Sequence, residues 1–129
     1  MAQNSENNRG SHAMIDICNF YGDENRLGNL VFDLMIEAIE RTSMKIVHKH
    51  LEILNKDTPP GFSAILSLDS SHISAHAYTS KDIALTAFDC FTCGKTNPLE
   101  VLQYIYNELN KQFPHIKCTY EFNHKRFRY

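Results

Sequence analysis

The chain has 129 residues, enough for one two-layer core and too few for two independent ones. An apolar share of 43 % and a charged share of 22 % are ordinary for a soluble globular domain. The net charge of -2 gives no electrostatic ground for nucleic acid or an anionic membrane as partner, and no apolar run approaches the ~20 residues that span a bilayer.

Residues 1–10 are polar and aperiodic, and they lack the basic-then-apolar order of a signal peptide. They read as a disordered tail before a single domain over 11–129. Gly10-Ser11-His12 is open to two readings, a cloning scar or the native opening of the first strand. Residues 12–20, with Met14, Ile15, Ile17 and Phe20, alternate as a strand that Gly22-Asp23 ends. Leu27, Leu30, Val31, Leu34, Met35, Ala38 and Ile39 then recur at helical spacing over 24–42.

Residues 44–54 read as strand, closed by the Pro59-Pro60-Gly61 turn. Strand composition returns in 62–69, 71–78 and 83–92, with Thr79-Ser80-Lys81-Asp82 as a polar connection. Asn97-Pro98-Leu99-Glu100 carries a helix start with Asn as cap, Pro in the first turn and Glu completing a capping box. Leu102, Ile105, Tyr106 and Leu109 give this helix its buried stripe, and 116–122 reads as a last strand. The basic end from His124 reads as a solvated chain terminus. The order predicts an α+β two-layer sandwich, an antiparallel sheet with two helices on one face.

Cys18, Cys90, Cys93 and Cys118 lack disulfide-scaffold spacing and point to reduced thiols in the cytoplasm. Cys90-x-x-Cys93 is a dithiol or zinc spacing, but on a strand residues three apart face opposite ways. His72 and His76 share a strand face without a third ligand nearby, so no metal is expected. Gly94-Lys95-Thr96 resembles the end of a P-loop, yet Asp89 stands where that motif needs glycine.

Ser70-Ser71-His72, the second histidine His76, and Phe91-Thr92-Cys93-Gly94 together resemble the S-adenosylmethionine decarboxylase proenzymes. The resemblance runs from Gly10-x-His12 to Arg126-Phe127-Arg128-Tyr129. It implies self-cleavage between Ser70 and Ser71, giving a β chain of 1–70 and an α chain of 71–129, with Ser71 becoming a pyruvoyl cofactor. That group would form a Schiff base with the substrate amine and act as electron sink. By the same resemblance His76 and Ser63 serve processing, Cys93 donates a proton after decarboxylation, and Asp16 lies near the substrate. Tyr78 falls in the segment that shapes the pocket.

Small members pair as homodimers, which implies a site completed across two protomers. Three departures stand out: Ser70 replaces the usual Glu, Ala77-Tyr78-Thr79-Ser80 replaces Thr-Trp-Pro-Glu, and the stretch from Ser71 to Cys93 is about two residues longer. The expected activity is S-adenosylmethionine decarboxylation in polyamine (spermidine) biosynthesis. The alternatives are a pyruvoyl-dependent arginine or ornithine decarboxylase and a non-processing regulatory or binding homologue.

Overall fold

A computed structural model describes residues 9–127. Residues 1–8 of the expected tail, and Arg128 and Tyr129 of the closing motif, lie outside the described residues. Strand β1 (Gly10–Cys18) leads to helix α1 (Glu24–Glu40), then β2 (Ile46–Leu54), β3 (Gly61–Leu68), β4 (His72–Tyr78), β5 (Leu85–Cys93), helix α2 (Pro98–Gln112) and β6 (Lys117–Arg126). The six strands form one sheet in the order β2-β3-β4-β5-β1-β6, and every neighbouring pair is antiparallel. The chain thus has the α+β layering that its pattern implies.

Each helix forms where its caps and apolar stripe agree. The Asp23 carboxylate accepts the Arg26 N–H at 2.9 Å, satisfying a free donor of the first turn of α1. Leu27, Val31, Met35 and Ile39 bury one side of that helix. In α2 the Asn97 side-chain oxygen accepts the Leu99 N–H at 3.0 Å. Glu100 reaches the Asn97 side-chain amide, at 3.5 Å, so the expected capping box closes through side chains alone. Val101, Leu102, Ile105 and Leu109 face the sheet.

Ala13, Ile15 and Ile17 from β1, Phe62, Ala64 and Leu66 from β3, Ile73 and Ala75 from β4, and Phe88 and Cys90 from β5 complete the core. Burying one such large side chain contributes about 1.5–3 kcal/mol. Alternation then sends the intervening residues to the opposite, helix-free face.

Two boundaries depart from the sequence reading. Gly10 already belongs to β1, paired with Cys93 and Arg126. Strand β6 runs to Arg126, beyond the expected 122, because β1 offers a partner along its full length; His124 to Arg126 are paired strand residues, although exposed. Their own sequence is polar, so only the ladder with β1 reveals them.

Gly61 opens β3 where the strand crosses close to β4. A Cβ there would lie 1.9 Å from the Ala77 carbonyl oxygen. Gly61→Ala is therefore expected to weaken the β3–β4 pairing, at the upper end of the roughly 1–3 kcal/mol typical of overpacking. The urea midpoint measured by circular dichroism checks this.

Candidate active site

The helix-free face is organised in cross-strand rows set by the register. One row reads His48, Ser67, His72, Phe91, His12 and His124 from β2 to β6. Four residues further along β4, another reads Glu52, Ser63, His76, Ala87, Asp16 and Tyr120. Tyr78 follows in the next row, between Gly61 and Leu85.

Ser63 and His76 are directly opposed, and Ser63 Oγ and His76 Nδ1 share a hydrogen bond of 3.1 Å. Asp16 stands in the same row with the small side chain of Ala87 between it and His76. Tyr78 is half exposed beside them. The divergent segment after His76 is well anchored: the Thr79 N–H donates to the Pro60 carbonyl, and Gly22 N–H donates to that of Thr79, both at 2.9 Å.

Ser71 lies at the other end of β4, one residue before the strand begins, in the tight turn from β3. The Leu68 N–H donates to the Ser71 carbonyl at 2.8 Å, which closes the turn around Asp69 and Ser70. The Ser71 hydroxyl points to the helix side, donating to Met44 Sδ at 3.5 Å. Ser71 and His76, five residues apart, thus face opposite sides of the sheet, as strand alternation gives, although Ser71 lies at the strand end. Cys93 is at the same end of the neighbouring strand, two residues past Phe91, which pairs with His72. Cys93 is partly exposed while Cys90 is buried in the core, so the two sulfurs face opposite ways and form no dithiol.

Four of the predicted residues therefore collect at one end of the sheet face, and Ser70, Ser71 and Cys93 at the other. At ~3.3 Å per residue, the five residues from Ser71 to His76 span about 16 Å.

Beside the Ser71 end is a polar cluster that carries no role in the sequence reading. His12 Nε2 donates to Asp89 Oδ1 at 2.5 Å across β1 and β5. The His72 ring lies 6.3 Å from that of His12 and 5.9 Å from that of Phe91, and Arg126 stacks over Phe91 at 4.8 Å. Burial, then the neighbouring His12, lowers the His72 pKa below the ordinary 6.5; Arg126 adds to this and Asp89 opposes it. Burial pushes the Cys90 thiol up to about 12, with help from Asp89. Among the described residues no group of three or more His, Cys, Asp or Glu has a metal-holding arrangement.

Residues 11–119 match the family described as S-adenosylmethionine decarboxylase. The chain belongs to the S-adenosylmethionine decarboxylase family. It is 28 % identical over 112 residues to the S-adenosylmethionine decarboxylase proenzyme of Pyrococcus horikoshii, covering 83 % of this chain and 74 % of that one. A Bacillus cereus protein named S-adenosylmethionine decarboxylase proenzyme 2 is 30 % identical over 113 residues, 84 % of this chain and 85 % of its own. The proenzyme of Thermococcus kodakarensis is 30 % identical over 97 residues, 73 % and 64 % of the two chains.

For a member of this decarboxylase family, the His12–Asp89 pair was within reach of the sequence. His12 lies in Gly10-x-His12, and Asp89 directly precedes Cys90-x-x-Cys93. What the sequence lacks is the β1–β5 register that joins them across 77 positions.

Two outcomes follow from the electrostatics. A histidine whose folded pKa is lowered binds fewer protons than the unfolded chain, so stability falls as pH drops below about 6.5. His72→Gln is expected to flatten the decline of melting temperature between pH 7 and pH 5. In the native protein at neutral pH, Cys90 should resist iodoacetamide while the partly exposed Cys93 reacts, as peptide mass mapping would report.

Proposed function

We propose that this chain is a self-processing, pyruvoyl-dependent S-adenosylmethionine decarboxylase that works as a homodimer in the cytoplasm, in polyamine biosynthesis. The observation that carries this reading is the Ser70–Ser71 peptide in a tight turn, with Cys93 at the same end of the adjacent strand. In the family context such a peptide is the bond to be cut.

The Ser71 hydroxyl attacks the Ser70 carbonyl carbon, the Ser70–Ser71 C–N bond breaks, and the hydroxyl proton passes to the freed Ser71 nitrogen, leaving an ester. A base then removes the Ser71 α-proton and the Cβ–O bond breaks, so Ser70 departs as a carboxylate. Water hydrolyses the residual enamine, through its imine tautomer, and releases ammonia. These steps are redox-neutral and use only the chain and water. Ser71 fits this conversion because it sits outside the regular ladder, half-buried, with its hydroxyl on a weak sulfur acceptor. The resulting ketone supplies an electron sink for the bond to carbon dioxide. Cys93 delivers the proton that replaces the carboxylate, and the exposed Asp16 and Tyr78 line the substrate's approach.

The base for elimination is His76, held by Ser63. Within one protomer it is about 16 Å from Ser71. In the proposed homodimer the two helix-free faces pack on each other, and the base that serves the Ser71 α-proton is the partner's His76. The same face exposes Ile65, Tyr78, Leu85, Tyr120 and Phe122, between 39 % and 53 % each, an apolar lattice suited to burial against a second copy.

Intact mass and a denaturing gel test the proposal. The purified chain should yield two fragments split between Ser70 and Ser71, and Ser71→Ala should stay whole. His76→Ala should slow cleavage by about 10²-fold or more. Carbon dioxide should be released from S-adenosylmethionine and not from arginine or ornithine, and sedimentation should give a dimer. A whole wild-type chain without a ketone would overturn the reading.

A further inference from the structure

The turn that holds the scissile peptide is fastened to the segment between α1 and β2, residue against residue. The Asp69 N–H donates to the Lys45 carbonyl at 2.9 Å, and the Lys45 N–H donates to Asp69 Oδ1 at 3.3 Å. Two positions after Asp69 and one before Lys45, the Ser71 hydroxyl donates to Met44 Sδ. The anchor is itself fixed to the helix. Thr42 donates from both its N–H and its hydroxyl to the Ile39 carbonyl, at 2.9 and 2.6 Å, and its hydroxyl oxygen accepts the Met44 N–H at 3.0 Å. Residues 69 and 71 are thereby tied on either side of Ser70, and the Ser70 carbonyl is the group left between them.

We propose that Asp69 is a positioning residue for self-cleavage, its carboxylate and N–H clamping the turn to Lys45 so that the Ser71 hydroxyl faces the Ser70 carbonyl carbon. The proposal rests on the self-processing reading above and adds the part that sets its rate. Acyl transfer from nitrogen to oxygen within one dipeptide depends on holding the two atoms near contact distance. A displacement of about 1 Å costs up to ~10²-fold in rate. A two-residue turn anchored only by its flanking strands leaves that approach free to vary, and the Lys45 clamp removes the variation. Met44 supports the same geometry, because a thioether is a weak acceptor that orients the hydroxyl while its oxygen lone pairs stay available for attack. The carboxylate next to the cleavage site in this chain is thus at 69, with Ser70 carrying the carbonyl.

The test follows first-order conversion of freshly refolded full-length chain on a denaturing gel. Asp69→Ala should process roughly tenfold or more slowly than wild type. Asp69→Asn keeps an oxygen that accepts the Lys45 N–H and should stay within about threefold of wild type. Hydroxylamine, which cuts an ester, should not restore the alanine variant, since the defect precedes the ester. Melting temperatures of both variants should match wild type within a few degrees, because the turn is exposed. Met44→Leu, close in volume, should slow cleavage about threefold or more through loss of the sulfur acceptor.

Wild-type rates in Asp69→Ala, an asparagine variant as slow as alanine, or rescue by hydroxylamine would each overturn the clamp. A wild-type chain that stays whole overturns the self-processing reading and the clamp with it. Normal wild-type cleavage beside an unimpaired Asp69→Ala overturns the clamp alone.

Discussion

The period of two along a strand governs this molecule. Helices α1 and α2 cover one face of the sheet, so every second residue of β1, β3, β4 and β5 is committed to packing. The remaining positions are the only ones where polar and ionisable groups avoid the desolvation cost of the core. Ser63, His76, Asp16, His12 and Asp89 all fall there. Ser71 has the helix-side parity of Ile73 and Ala75, and its position in the turn leaves its hydroxyl half-buried against Met44.

This division explains how much was legible in the sequence. Helices α1 and α2 announce themselves through caps and a single apolar stripe, and the alternation in β3, β4 and β5 gives both their existence and their buried sides. The separation of Cys90 from Cys93 follows from parity alone. The end of β6 is harder to read. Tyr120 and Phe122 fall inside the expected strand 116–122, whereas His124, stacked on Phe122 along an exposed edge strand, takes its strand character from β1, about a hundred residues earlier. The candidate site shows the same limit. The family resemblance groups Ser63, Ser71, His76 and Cys93, but the distribution of these residues between opposite ends of the sheet depends on register.

The electrostatics agree with that distribution. His72 sits among His12, Phe91 and Arg126, where partial burial and a neighbouring imidazole favour its neutral form. Cys90, one residue away from Asp89 but turned into the core, is pushed toward its thiol form by burial. The ionisable groups of the helix-free face thus stay accessible, and the buried Cys90 sulfur packs as a small hydrophobe.

The strand order carries a consequence for the severed molecule. A cut between Ser70 and Ser71 assigns β1, β2 and β3 to one fragment and β4, β5 and β6 to the other, yet β1 lies between β5 and β6. Three of the five ladders, β3–β4, β5–β1 and β1–β6, then join separate molecules. Fragments cut there would interleave like the fingers of two hands, and these three ladders would hold them together without the covalent link. Refolding does not share that independence. Before the cut the two halves search for each other at the high effective concentration of a tether; afterwards they meet only by diffusion. A chain cut as proposed would therefore be held kinetically, and once lost its structure would return at a rate set by dilution.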